Sequence, residues 1–318
     1  MSGFPNPPTD RFIDPKVLMA IRNLEWRART VVEGFWTGLH RSPYHGFSVE
    51  FTEYRQYTPG DDTRYLDWRL LGRSDRYFIK RFEDETNLRC HLILDRSRSM
   101  DFGSQPHTKA TYAATLAACL AYFLQRQGDA AGLLTFDEAV RDYLPARHRP
   151  GHLRRLFLAL EKEAGGKDTD LIAPLRQASE IIRKRGLVVL ISDLLAPADN
   201  LETSLTVLAA AGQEISLFQV LDPVELTLDL GEPAWFEDVE SGRQLFVDPA
   251  GIRKRYQERM EEHSVRIQNL CQRLGVGFHR LVTDQPLETA LFEFLRDRSK
   301  ARRTVRRYTP SGGMRASS

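Results

Sequence analysis

Leu187-Val188-Val189-Leu190-Ile191-Ser192 restricts the architecture more than any other stretch of this chain. It has the length of a strand and is apolar almost without interruption. A strand with two apolar faces has to be covered on both, which is the situation of an inner strand in a parallel sheet. The flanking sequence supplies the cover. Leu88 to Leu94, Ala130 to Phe136, Ile215 to Leu221 and Gly277 to Val282 read as further strands. Lys109 to Gln127 reads as an almost wholly apolar, Ala-rich helix closed by Gly128-Asp129. His152 to Glu163, Leu171 to Lys184, Asn200 to Ala211 and Leu287 to Arg298 read as helices. Phe236 to Val247, turning at Ser241-Gly242, reads as a hairpin. Pro249 to Leu274 is a long helix with Ile252, Tyr256, Met260, His263, Ile267, Leu270 and Leu274 at three/four spacing, a core-facing stripe. The expected fold is α/β: a doubly wound, mostly parallel, Rossmann-like sheet covered on both faces.

Upstream the character differs. Asp14-Pro15 is a helix start, with Asp as N-cap and Pro at the first helical position. Val17, Ile21, Leu24, Ala28, Val31 and Phe35 follow as one apolar face, predicting a single helix that ends near Gly34 or Gly38. Phe47, Val49 and Phe51 alternate as in a strand, and Tyr77 to Phe82 predicts another. The expected organisation is a disordered tail over 1–13, an N-terminal helix and β extension over 14–87, the α/β domain with C-terminal additions over 88–298, and a basic disordered tail over 299–318.

Charge and cysteine usage narrow the function classes. The formal net charge of +2 excludes an obvious polyanion binder. The basic residues do gather at Arg296, Arg298, Lys300, Arg302, Arg303, Arg306 and Arg307. Without aromatic interleaving or a nucleic-acid motif, that tail reads as a solvated terminus rather than a nucleic-acid binder. Cys90, Cys119 and Cys271 are far apart and form no disulfide framework or zinc spacing, which favours a reducing compartment. The first ten residues lack signal-peptide character, and the longest apolar run, Leu116 to Leu124, is half the ~18 residues a membrane span needs. A cytoplasmic protein is expected, with peripheral attachment to a membrane complex left open.

Ligands of open α/β sheets bind where loops leave the carboxyl ends of the strands. Just past the first apolar strand stand Asp95, Ser97 and Ser99, in Asp95-Arg96-Ser97-Arg98-Ser99. Just past Leu187 to Ser192 stands Asp193. Ahead of the helix at Leu171 lies Gly165-Gly166-Lys167-Asp168-Thr169. Carboxylates and hydroxyls are hard oxygen donors, the ligands of Mg²⁺ at ~2.0–2.1 Å. The alternate spacing of Asp-x-Ser-x-Ser lets a tight loop turn its side chains to one point. Neutral hydroxyls leave the cation incompletely compensated, so it still attracts an acidic oxygen from outside.

Residues 88–220 resemble a von Willebrand factor A domain, and Asp95, Ser97, Ser99, Thr169 and Asp193 fill the five positions of that family's metal site. The resemblance implies Mg²⁺ as the ion, with Mn²⁺ and Ca²⁺ as alternates. One departure is Leu194, where many members carry Gly after the last Asp; it bears on the shape of the third loop more than on its ligand. A second, longer motif, Tyr57-Thr58-Pro59-Gly60-Asp61-Asp62-Thr63-Arg64-Tyr65-Leu66-Asp67-Trp68, continued by Phe82-Glu83-Asp84-Glu85, is similar to the signature of the bacterial family called domain of unknown function 58. That resemblance implies a non-enzymatic, metal-dependent adaptor that pairs with a MoxR-type AAA+ ATPase and an acidic protein ligand. Within the signature, Pro59-Gly60 suits a type II turn, and the segment reads as structural or as a docking surface.

Competing readings are specific. A lone Asp-x-Ser-x-Ser can simply cap the helix starting near Lys109. An Asp at a strand end beside Mg²⁺ can be the nucleophile of a phosphatase, although Ser97 stands where a second carboxylate would be wanted. Gly-x-Ser-x-Gly and His-Glu-x-x-His are both absent, and Pro150-Gly151 keeps His148 and His152 off one helical face.

Overall fold

The computed structural model describes residues 12–41, 51–56, 78–82, 88–163, 171–196, 198–231, 233–237 and 244–296. Its centre is a six-stranded sheet. The strands are β3 (Arg89–Asp95), β4 (Ala130–Phe136), β5 (Val140–Arg147), β6 (Leu187–Ser192), β7 (Glu214–Leu221) and β10 (Gly277–Val282), in the order β10-β7-β6-β3-β4-β5. All pairings are parallel except β4 with β5. Two small antiparallel pairs lie outside this sheet: β1 (Phe51–Gln56) with β2 (Phe78–Phe82), and β8 (Ala234–Glu237) with β9 (Gln244–Val247).

The inner strands are buried on both faces, and their side chains alternate between two cores. Cys90, Leu92 and Leu94 of β3, Val189 and Ile191 of β6, and Phe218 and Val220 of β7 belong to one. Ile93, Val188, Leu190, Ile215 and Leu217 belong to the other. This is the two-residue period of a strand with both faces covered. The first core is closed by α1 (Pro15–Met19), α2 (Leu24–Arg41), α3 (Lys109–Arg126), α4 (His152–Leu160) and the helix at 287–296, here α9. The second is closed by α5 (Ile172–Ile181), α6 (Ala198–Ala210) and α8 (Pro249–Leu274). A short α7 (Pro223–Thr227) follows β7.

The N-terminal helices belong to the first core rather than lying beside it. Phe123 of α3 stacks on Trp36 of α2 at 5.1 Å and meets Phe35 and Phe294 edge-on. The sequence predicts one helix here, and there are two. Asn23 accepts the Trp26 N–H at 2.9 Å and so caps a fresh start. Val17 is consequently 65% exposed while Leu18 is buried. The second helix runs through Gly34 to Arg41, past both glycines where an end is expected.

Strand β5 is absent from the sequence reading, as is α7. Pro145 lies inside β5, which the edge position tolerates. Asp137 organises the preceding turn by accepting the Ala139 N–H and the Arg141 Nε–H. The predicted stripe on α8 is buried only in its second half, at Ile267 and Leu270, with Cys271 beside them, whereas Ile252 is exposed. The alternation at Phe47 and Val49, the Tyr57–Trp68 signature, the Ser241-Gly242 turn, residues 1–11 of the N-terminal tail and the C-terminal tail over 299–318 lie outside the described residues, while the Ile13 N–H donates to Glu288 Oε1 at 3.2 Å. Among the described residues no helix is long and apolar enough to cross a membrane.

A candidate metal centre at the carboxyl edge of the sheet

Parallel strands deliver their carboxyl ends to one edge, and β3 and β6 are neighbours in register from Cys90↔Leu187 to Leu94↔Ile191. Asp95 therefore emerges beside Ser192, whose hydroxyl donates to Asp95 Oδ2 at 2.6 Å. Asp95 Oδ1 accepts the Ser97 N–H at 2.8 Å, closing the tight turn that Asp-x-Ser favours. The Ser97 and Ser99 hydroxyls lie 3.1 Å apart. The intervening Arg96 leaves in another direction. Its guanidinium donates to the Lys162, Ala159 and Leu160 carbonyls at the carboxyl end of α4. Asp95, Ser97 and Asp193 are buried and Ser99 is half-buried. Helix α3 has its own cap, since the Thr108 hydroxyl accepts the Thr111 N–H at 3.2 Å. The Asp-x-Ser-x-Ser loop is thus not a helix cap for α3.

Two buried carboxylates meet here. Burial pushes the Asp95 carboxyl up to about 6, and the neighbouring Asp193 charge pushes in the same direction, while the bonds from Ser192 and Ser97 oppose it. Asp193 has a partner invisible to sequence reading. Lys109, fully buried at the start of α3, donates to Asp193 Oδ2 at 2.9 Å and to Glu225 Oε1. Burial alone would lower the Lys109 pKa, but the Asp193 and Glu225 charges outweigh it and hold the ammonium above its ordinary value. Glu225 is itself raised by burial, against the pull of Lys109.

The third loop turns at Leu194, which takes φ +55°, the left-handed region glycine favours. The Leu194 N–H donates to Ser192 Oγ at 3.1 Å, and its carbonyl accepts from His263 Nε2 of α8 at 2.8 Å. Gln219 of β7 donates to the Asp193 carbonyl at 3.0 Å. This left-handed turn is made by a leucine whose side chain is buried in the second core. Thr169, with Gly165 to Asp168, lies outside the described residues.

The family described as "Protein of unknown function DUF58" matches residues 53–266, well over half of the chain. The chain belongs to the DUF58 family. It is 28% identical over 293 residues to uncharacterized proteins of Mycobacterium bovis and Mycobacterium tuberculosis, covering 90% of this chain and 91% of theirs. Among solved structures it is similar to an aerotolerance-related membrane protein of Bacteroides fragilis (TM-score 0.47, 13% identity, 67% of this chain and 99% of that one). It is also similar to BatB of Bacteroides thetaiotaomicron (0.46, 14%, 67% and 99%) and to the VWA domain of SpRpn10 (0.38, 13%, 64% and 94%).

In this DUF58 chain a mostly parallel six-stranded sheet carries a helical layer on each face, the α/β class that the von Willebrand factor A resemblance implies. The donors gathered at the edge are all oxygens: the Asp95 and Asp193 carboxylates and the Ser97 and Ser99 hydroxyls. Two carboxylates, Asp193 and Glu225, share the one ammonium, Lys109, and a third, Asp95, feels the Asp193 charge. That excess of negative charge and that donor set fit a hard divalent cation. Among the described residues no group of three or more His, Cys, Asp or Glu is placed to hold a metal, so serine hydroxyls would have to complete any such site. Phe102 and Leu195, each a few residues from a candidate ligand, are exposed. Beside the first loop a cleft of about 650 Å³ is lined by Arg22, Arg27, Arg96, Asp101 and Thr108 among others.

Sequence reasoning missed Lys109, Glu225, Ser192 and His263 as parts of this edge. Glu225 alone had a local signal: Asp222-Pro223-Val224-Glu225 is a capping box, with Asp222 accepting the Val224 N–H and Glu225 accepting the Asp222 N–H.

Proposed function

We propose that this DUF58 chain is a protein-interaction module that grips an acidic side chain of a partner through a divalent cation, Mg²⁺ first, held by Asp95, Ser97, Ser99, Asp193 and Thr169. The observation that carries the reading is the hydrogen-bonded run Ser192–Asp95–Ser97 with Ser99 alongside, next to a second buried carboxylate and short of positive charge. When bound, the cation supplies a Lewis-acidic position for an outside carboxylate oxygen. The chain's own work is positional. Ser192 and the Ser97 N–H orient Asp95, Arg96 ties the first loop to the end of α4, and His263 and Gln219 fix the loop that carries Asp193.

The partner we propose is a MoxR-type AAA+ ATPase, or a client of it, in assembly or maturation of other proteins; the family resemblance supports this. We place the activity in the cytoplasm, in keeping with the burial of Cys90, Cys119 and Cys271 in the two cores. No enzymatic step is proposed.

The test is a Ser97→Ala, Ser99→Ala double variant. Isothermal titration with MgCl₂, and capture of the ATPase with and without EDTA, should show Mg²⁺ binding and Mg²⁺-dependent capture in the wild type. Both should be lost in a variant that keeps its circular dichroism spectrum. Equal capture by the variant, together with indifference of the wild type to EDTA, would refute the proposal.

A further inference from the structure

Lys109 is an unusual residue to find where it is. It opens an Ala-rich, almost wholly buried helix, is itself fully buried, and makes ion pairs with Asp193 at 2.9 Å and with Glu225. Removing an ammonium from water costs several kcal/mol unless excellent partners offset it. A buried lysine at this point in the fold therefore calls for a role that an apolar residue could not fill. Its two partners are tied to separate parts of the edge. Asp193 opens the third loop, and its Oδ1 accepts the Leu195 N–H at 3.3 Å. Glu225 belongs to the capping box of α7, and its carbonyl accepts the Tyr256 hydroxyl of α8 at 2.8 Å. The ammonium is the junction between them.

We propose that Lys109 is a built-in cation of this site: it shares Asp193 with the metal, holds the third loop closed when metal is absent, and so sets how tightly metal is held. The proposal rests on the metal reading above. Asp193 Oδ2 cannot turn wholly to a metal without giving up its bond to Nζ. Lys109 therefore competes for the carboxylate that it also keeps in place. The charge count gives the direction. Asp95, Asp193 and Glu225 against Lys109 leave an excess of two negative charges when all are ionised. Removing the ammonium raises that excess to three and increases the attraction for a divalent ion. Removing the Glu225 charge lowers it to one and commits the ammonium to Asp193.

The experiment compares wild type, Lys109→Met and Glu225→Gln by calorimetric titration with MgCl₂ at pH 8 and by thermal midpoint in EDTA. Lys109→Met should bind Mg²⁺ about tenfold more tightly, melt several degrees lower in EDTA, and recover most of that loss when Mg²⁺ is added. Glu225→Gln should bind Mg²⁺ about tenfold more weakly, because the site loses a unit of negative charge. If Lys109→Met does not fold, Glu225→Gln carries the test alone. Affinities within twofold of wild type in every variant that folds would make Lys109 a structural ion pair and overturn the inference while leaving the metal reading intact. Binding by Lys109→Met with none by wild type would refute the metal reading for the native chain and, with it, the sharing of Asp193 proposed here. No Mg²⁺ binding by any of the three would sink both.

Discussion

Leu194 makes the shape of the third loop measurable. A non-glycine residue at φ +55° carries roughly 1–2 kcal/mol of backbone strain. The side chain is only 1% exposed and packs in the core with Leu171, Leu201, Leu205 and Ile267. Truncating such a leucine to Ala costs about 2–5 kcal/mol. Leu194→Ala loses the packing and keeps the strain. Leu194→Gly loses the packing, relieves the strain, and adds chain entropy to the unfolded state. At an ordinary position glycine is less stable than alanine by about 0.5–1 kcal/mol. At a left-handed position the order inverts, since alanine is then the strained residue. Both variants should fall below wild type by about 2–4 kcal/mol, with the glycine variant above the alanine variant by up to about 1 kcal/mol. Urea unfolding in EDTA, fitted with a common m-value, resolves that difference. A glycine variant less stable than the alanine variant would refute the left-handed turn at Leu194. Because the Ser192 and His263 bonds are made through the Leu194 backbone, the glycine variant should also keep its Mg²⁺ dependence.

If Asp95 holds Mg²⁺ as proposed, the affinity should depend on pH. The Asp95 carboxyl is raised to about 6 from an ordinary 3.8, so below about 6 a metal has to displace a proton. Affinity should fall about tenfold per pH unit there and level off above, as calorimetric titrations at several pH values would show; a flat profile between pH 5 and 7 would contradict it. In EDTA the same shift has the opposite sign for stability. The folded state holds the proton more tightly than the unfolded chain, so Asp95 gives a penalty that is full above about 6 and fades as pH falls toward 3.8. Asp95→Asn should remove that component from the pH dependence of the thermal midpoint, and an unchanged slope would count against the raised value. Arg27 tests the cleft beside the first loop. It is buried, its Nε has no partner, and its one hydrogen bond among the described residues is from Nη1 to the Met19 thioether sulfur. Arg27→Met should leave stability unchanged or raise it by about 1 kcal/mol, measured in urea, because an ill-paired buried cation is replaced by apolar volume; a loss above ~2 kcal/mol would show that the guanidinium has a partner worth keeping.

The fold was legible where local pattern and tertiary demand agree. Leu187–Ser192 is apolar on both faces because both faces are buried, and its bounds can be read from the string of letters. Pro249–Leu274 is delimited by Asp248 as N-cap and by Gly275 at φ +68°, chemistry that is local by nature. The failures have equally local causes. An apolar spacing that ran unbroken from Val17 to Phe35 hid the Asn23 cap, since the same three/four spacing is compatible with one helix or with two in succession. Strand β5 was hidden because an edge strand buries little, and its half-buried alternation, interrupted by Pro145, resembles a loop.

At the candidate site the division runs between spacing and burial. The alternation in Asp95-Arg96-Ser97-Arg98-Ser99 carries its own geometry, and the structure sends Asp95 and Ser97 into one cluster and Arg96 to the end of α4. Lys109 has no such signature. A lysine opening a helix reads as a solvated end, and only the arrival of Asp193 and Glu225, 84 and 116 residues downstream, makes it internal. Yet the chain of support has a legible first link. The Asp222–Glu225 capping box is a four-residue pattern that fixes the Glu225 carboxylate. Glu225 anchors the Lys109 ammonium, and the ammonium holds Asp193. A change at Asp222, far from the Asp-x-Ser-x-Ser loop in sequence, should therefore reach Asp193 through two ion pairs. The ligand set of this edge extends past the residues that would touch a cation, to the local helix motif that holds their counter-charge in place.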